Sequence, residues 1–158
     1  MDEIFQKMKD IILIGDGLGV RTFPSKAMGL SVLGTDLSEY AVKHCHPEIK
    51  DCYIQDDIIN TKIKEKAKLV IAYDILEHLS YKNLDKAINN LIRHTTKHIL
   101  ISVPYKGTPP ATADPTHIII EDREFWIKKF TDKGLKLIKT PDHFQYKEQI
   151  LIFEKVIK

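Results

Sequence analysis

The chain has 158 residues, enough for one domain with a full hydrophobic core. Hydrophobic residues make up 43% and charged residues 29%, which is ordinary for a globular protein, and no apolar run approaches the ~20 residues of a membrane span. A net charge of +2, with few arginines, argues against a nucleic-acid partner. Residues 1–7 lack the pattern of a secretory signal, so a cytoplasmic location is expected.

Apolar runs alternate with helical patterns along the whole chain, which is typical of a parallel α/β sheet. A segment with four prolines, residues 104–116, predicts a loop. The expected fold is a single domain over residues 1–158. It is a seven-stranded, mostly parallel Rossmann-like sheet with helices on both faces (three layers, α/β/α) and a C-terminal antiparallel hairpin. Strands are predicted at 11–14, 30–35, 52–55, 68–73, 98–103, 135–139 and 149–156, and helices at 21–28, 38–46, 82–94 and 121–131.

Three glycines at alternate positions, Gly15, Gly17 and Gly19, follow the first predicted strand. The second predicted strand ends at Asp36. Glycine lets the backbone approach a ligand closely, and an acid at the neighbouring strand tip can accept hydrogen bonds from ribose hydroxyls. Because a dinucleotide fingerprint needs a third glycine where Val20 stands, a dehydrogenase is disfavoured.

The order of these features resembles the class I S-adenosylmethionine (SAM)-dependent methyltransferases over essentially all 158 residues. Each motif is weak alone, but together they occur at the right intervals. They are the G-x-G-x-G loop at 15–19, the acid at Asp36, the third strand tip at 55–58, the x-x-L-E-H-x segment at 74–79, the fifth strand ending at 101–104, and Asp-Pro-Thr-His at 114–117 before a helix containing Phe125 and Trp126.

The resemblance implies SAM as cofactor and S-adenosylhomocysteine (SAH) as product. Asp36 is expected to bind the ribose, and Asp57, or Asp56 if the register slips by one residue, to bind the adenine amino group. No metal ligand is expected, since methyl transfer from a sulfonium does not require one. The predicted cofactor-binding residues are Gly15, Asp16, Gly17, Gly19, Asp36, Leu37, Asp56, Asp57, Ile58 and Tyr73.

One position departs from the family pattern. The family usually carries an acid two residues before the first glycine, where this chain has Leu13. We hypothesise that Asp16, inside the loop, takes over the contact with the α-ammonium group of the cofactor or lies near its sulfonium. The alternative is that Asp16 caps the helix that follows.

The candidate catalytic residues are His117 and Asp74. The imidazole of His117 is suited to removing a proton near neutral pH. Its alternative role is to hold the shape of the 104–116 loop. The predicted substrate-binding residues are Tyr105, His78 and His117.

The expected function is methyl transfer from SAM to oxygen or nitrogen of a small-molecule acceptor, such as a sugar or biosynthetic intermediate. The alternatives are a methyltransferase acting on protein or RNA, and a SAM-binding module without catalysis. A membrane partner is not expected. Few residues precede the first strand, so the lid over the acceptor must come from segment 104–116, the N-terminal segment or another subunit; a homo-oligomer is one such arrangement.

Overall fold

A computed structural model describes residues 8–156. The prediction that residues 1–7 lack a secretory signal concerns residues outside this range. The described residues form seven strands and five α-helices, with short 3-10 turns at Pro47–Ile49, Leu76–His78 and Lys147–Gln149. The strands are β1 (Lys9–Ile14), β2 (Val32–Asp36), β3 (Tyr53–Gln55), β4 (Ala67–Tyr73), β5 (Thr95–Ser102), β6 (Leu135–Ile138) and β7 (Ile150–Lys155). The helices are α1 (Thr22–Ala27), α2 (Glu39–His44), α3 (Tyr81–His94), α4 (Pro109–Ala113) and α5 (Arg123–Thr131).

All seven strands join one sheet in the order β3-β2-β1-β4-β5-β7-β6. The first five strands in this order pair in parallel, whereas β7 is antiparallel to both of its neighbours. This confirms the predicted mostly parallel sheet and its C-terminal antiparallel hairpin. The chain reverses its strand order between β1 and β4, so the carboxyl ends of these strands open a crevice for a ligand.

Helices cover both faces of the sheet, as predicted. On one face, α3 and α5 bury Leu84, Ile88 and Trp126 against the central strands. On the other face, α1 and α2 pack against β2 and β3. A Cβ atom on Gly34 of β2 would overlap both the side chain of Thr22 and the ring of Tyr53, so only glycine lets α1 lie this close to the sheet.

The prediction of a loop throughout residues 104–116 is wrong for Pro109–Ala113, which form the short helix α4. Its two prolines occupy the first turn, where the missing N–H groups would have no helical partner in any case. The other predicted elements exist, with ends that differ by up to three residues. Within residues 8–156, no helix combines the length and apolar character required to cross a membrane.

Candidate functional site

A cavity of about 380 Å³ lies at the carboxyl ends of β1, β2, β3 and β4. We call it the first cavity. It brings together six of the predicted cofactor residues, from segments far apart in the sequence. It is lined by Ile14, Gly15, Asp36, Leu37, Asp56, Asp57, Ile58, Ile59, Asp74, Ile75, His78 and Leu79.

The glycine loop turns directly beneath this cavity. Gly15, Gly17 and Gly19 all have positive φ angles, 67°, 58° and 85°, which glycine adopts without strain. The backbone N–H of Gly17 donates to Asp36 Oδ2 at 2.7 Å, and the backbone N–H of Ser38 donates to Asp36 Oδ1 at 2.9 Å. These two bonds hold the Asp36 carboxylate at the cavity edge. Of the three loop glycines, Gly15 lines the cavity.

Asp16 lies behind the loop, with 3% of its surface exposed. Its carboxylate accepts hydrogen bonds from the backbone N–H of Arg21 and from the backbone N–H and hydroxyl of Thr22, the last two at 2.7 Å. The guanidinium of Arg21 adds an ion pair at 3.5 Å. These contacts attach the glycine loop to the start of α1, which is the capping role, and Asp16 is not among the residues that line the first cavity.

Asp56 and Asp57 both line the first cavity, just after β3. Asp57 is already bonded within its own turn, since it accepts from Ile59 N at 2.8 Å and from Asn60 Nδ2 at 3.0 Å. Asp56 accepts from Lys62 N through Oδ1, and its Oδ2 is buried without a partner among the described residues. Both acids therefore remain candidates for a donor such as the adenine amino group.

A second cavity, of about 440 Å³, adjoins the first. Asp74 and His78 line both cavities and so mark the junction between them. Residues of the 104–116 segment form much of its wall, as a lid would. The second cavity is lined by Asp74, Glu77, His78, Pro104, Pro110, Ala113, Asp114, Pro115, His117 and Gln149.

The backbone at Asp74 is held in an unusual conformation. Its φ of 54° lies in the left-handed region, which a residue other than glycine rarely adopts. The hydroxyl of Ser102, at the end of β5, donates to Asp74 Oδ1 at 2.7 Å. Strain of this kind is retained where the surrounding structure enforces it, often at ligand sites. The left-handed conformation of Asp74 directs the chain after β4 across the junction of the two cavities.

His117 lies beside His78, with ring centroids 4.8 Å apart in an edge-to-face arrangement. Nδ1 of His117 is 3.1 Å from the carbonyl oxygen of Ala111, to which it can donate. When Nδ1 carries the ring proton and donates it, Nε2 of His117 is unprotonated and keeps its lone pair. Nδ1 of His78 is 2.9 Å from the hydroxyl of Thr116. Both histidines are therefore oriented by one ring nitrogen each.

Glu77 is fully buried in the wall of the second cavity. Burial, with a smaller contribution from the nearby carboxylates of Asp74 and Asp114, raises the pKa of its carboxyl from 4.5 to about 8. Sequence reasoning placed Glu77 in a family motif without giving it a role. The available signal was an acid inside an otherwise apolar turn, Ile75-Leu76-Glu77.

Two further predicted residues lie outside the lining of both cavities. The ring of Tyr73 packs with Leu100 and Ile152, away from the main core. The Cζ atom of Arg21 lies over this ring, 4.0 Å from its centroid. Tyr105 is part of the main hydrophobic core. Sequence reasoning also missed Ile75 and Leu79, apolar residues after β4 that line the first cavity.

No protein-family model and no curated protein matches the sequence. Solved structures do match. Magnesium protoporphyrin IX methyltransferase (ChlM) from Synechocystis PCC 6803, with bound SAH, aligns over 96% of this chain and 76% of its own, with a TM-score of 0.76 and 17% identity. The N-methyltransferase NodS from Bradyrhizobium japonicum WM9, in complex with SAH, aligns over 93% and 78%, with a TM-score of 0.68 and 16% identity.

A third matching structure is the 4+2-cyclase SpnF, which aligns over 96% of this chain and 76% of its own, with a TM-score of 0.72 and 13% identity. Likeness at these identities shows the fold, which is the Rossmann-like fold of class I SAM-dependent methyltransferases. The cyclase has the same fold, so the fold alone does not decide the reaction.

Proposed function

We propose that this chain is a SAM-dependent methyltransferase that acts on oxygen or nitrogen of a small-molecule acceptor. The observation that carries the proposal is the pair of adjoining cavities at the strand tips. The first has the acids and the glycine turn suited to a nucleoside. The second meets it at Asp74 and His78, where a cofactor and an acceptor would come together.

The residues of the first cavity fit the cofactor chemically. A carboxylate has about four acceptor sites, and Asp36 uses one on each oxygen for backbone N–H groups, so acceptor sites remain for ribose hydroxyls. Leu37 and Ile58 offer apolar surface for an adenine ring, and Asp56 or Asp57 an acceptor for its amino group. When bound, SAM supplies a methyl group already activated by its sulfonium.

The remaining work of the protein is to position the acceptor and, where necessary, to take its proton. Nε2 of His117 and the carboxylate of Asp74 are the predicted groups for this step, and both belong to the wall of the second cavity. Half of the residues that line this cavity belong to segment 104–116, and its volume of about 440 Å³ suits a small acceptor. The acceptor in the name of ChlM, magnesium protoporphyrin IX, is a small molecule, which agrees with this choice.

Calorimetry with SAH, SAM and NAD tests the cofactor assignment. We expect SAH and SAM to bind and NAD not to bind. Asp36→Asn should weaken SAH binding by roughly 10- to 100-fold, since a hydrogen bond to a charged group contributes about 1.5–3 kcal/mol. Asp142→Asn, which changes an exposed acid in the distal connection, is the control. Binding of NAD alone, or equal SAH affinity in Asp36→Asn and wild type, would reject the assignment.

The reaction is tested by incubating the protein with radiolabelled SAM and pools of small molecules, proteins and RNA. We expect label in the small-molecule pool. His117→Ala should lower turnover with little change in SAH affinity. Label only in protein or RNA would favour the macromolecular alternative, and tight SAH binding without transfer to any pool would favour a binding module.

A further inference from the structure

Three potential metal ligands converge in the wall of the second cavity. Glu77, His78 and His117 each offer one ligand atom, and these three atoms lie within 4.8 Å of one another. The backbone N–H groups of Ile118 and Ile119 donate to the carbonyl of Glu77 at 2.8 and 2.9 Å, so the segment carrying His117 is attached directly to the 3-10 turn. The fold thus brings His117 to two adjacent residues, Glu77 and His78, from which it is far apart in the sequence.

The Glu77 carboxyl has no protein partner that accounts for its burial. The residue has 0% exposure, and neither Oε1 nor Oε2 makes a hydrogen bond to any described residue. A buried carboxyl is either kept protonated or paired, through hydrogen bonds or a bound metal ion. The unpaired oxygens lie beside two imidazoles, so a cation bound between the three groups would pair them.

Both histidines are arranged as metal ligands usually are. Each uses Nδ1 in a hydrogen bond, His117 to the carbonyl of Ala111 and His78 to the hydroxyl of Thr116. Such bonds to the second ring nitrogen orient a ligating imidazole and fix its tautomer. Nε2 of His117 lies 3.9 Å from Asp114 Oδ2, which is too far for a hydrogen bond, so Nε2 of each ring is available to a cation.

We infer that Glu77, His78 and His117 form a binding site for a divalent transition-metal ion of the Zn²⁺ or Mn²⁺ class. Two imidazoles and one carboxylate are a known ligand set for such ions, with one or more coordination positions left open. Ligand atoms around an ion at ~2.1 Å lie about 3.4 Å apart, so small side-chain rotations would close the present spacing.

An ion here would face the acceptor. Glu77 and both histidines line the second cavity, and His78 also lines the first. An open coordination position would bind an acceptor hydroxyl and lower its pKa, which favours release of its proton to water. This role rests on the proposed function and narrows the acceptor to a hydroxyl compound. His117 would then act as a ligand and not as the base, whereas the metal site itself does not depend on methyl transfer.

The metal site is tested with the EDTA-treated full chain and Co²⁺ alone, which reports coordination through its visible absorption bands. We expect one Co²⁺ per chain, displaced by Zn²⁺. Glu77→Gln and His117→Asn should each weaken binding by ~100-fold, because loss of even an orienting partner costs about 10- to 100-fold. His143→Ala, an exposed histidine in the distal connection, should bind as wild type does. Circular dichroism verifies that each variant folds.

Absence of saturable Co²⁺ binding, or wild-type affinity in folded Glu77→Gln and His117→Asn, would overturn the metal site. If one variant does not fold, the other decides the question. Cofactor binding is measured separately, as SAH affinity in EDTA. SAH binding without Co²⁺ binding rejects the metal site and leaves the proposed function intact. Co²⁺ binding without SAH binding rejects the proposed function and leaves the metal site intact.

Discussion

The buried carboxyl of Glu77 should make the metal-free protein lose stability as the pH rises. Its pKa is about 8 in the folded chain, against an ordinary value of 4.5. Between these pH values the folded chain keeps a proton that the unfolded chain has released. The folded state is therefore favoured at low pH, and the contribution is lost as the pH increases through this window.

The magnitude follows from the size of the shift. One pKa unit corresponds to about 1.36 kcal/mol, so the full shift corresponds to roughly 5 kcal/mol. Because the group is half-titrated in the unfolded chain at pH 4.5 and in the folded chain at pH 8, raising the pH between these values should reduce the free energy of unfolding by about 4 kcal/mol. Glu77→Gln removes the titration, because an amide carries no ionisable proton in this range. The difference between the wild-type and variant unfolding free energies should therefore change by about this amount over the window.

The assay is urea unfolding in EDTA, followed by circular dichroism at several pH values from 4.5 to 8. The change of the unfolding free energy with pH is compared between the proteins, and not its absolute value, because the buried amide of the variant has an energetic cost of its own at every pH. Glu148→Gln, an exposed position in the distal 3-10 turn, is the matched control and should follow the wild-type slope. Parallel pH profiles for wild type and Glu77→Gln would refute the reasoning.

Three further variants test the remaining contacts. Gly34→Ala should lower the free energy of unfolding by about 1–3 kcal/mol in urea, because its Cβ overlaps Thr22 and Tyr53; wild-type stability would contradict this. Asp16→Asn should cost roughly 2 kcal/mol by the same method and leave SAH affinity unchanged, whereas weaker SAH binding at full stability would restore the cofactor role. Burial lowers the pKa of His94, so stability should fall below about pH 6.5 as the unfolded chain takes up the proton, and His94→Gln should reduce that fall.

The class of fold and the position of the site were predictable because they depend on local patterns. Apolar runs and turn residues mark each strand within a few positions. Carboxyl ends of parallel strands meet at one edge, so Gly15, Asp36 and Asp57 could be expected to share a cavity, and all three line the first cavity.

Helix α4 shows where local reasoning was insufficient. Proline and threonine in segment 104–116 favour a loop, but Pro109 and Pro110 also suit the first turn of a helix. Which outcome occurs depends on packing, and Ala111 of this helix is fully buried. Sequence pattern alone does not contain that contact.

The alternating elements, the glycine turn and the acids at the strand tips can be read from the residues alone, because they follow from backbone preferences and from the alternation of side chains along a strand. Where each side chain points depends on the folded chain. It directs Asp16 toward α1, brings Asp74 to the junction of two cavities, and assembles Glu77, His78 and His117 in one wall. The physical reason is that these contacts join distant segments, and their geometry depends on how helices and loops pack on the sheet.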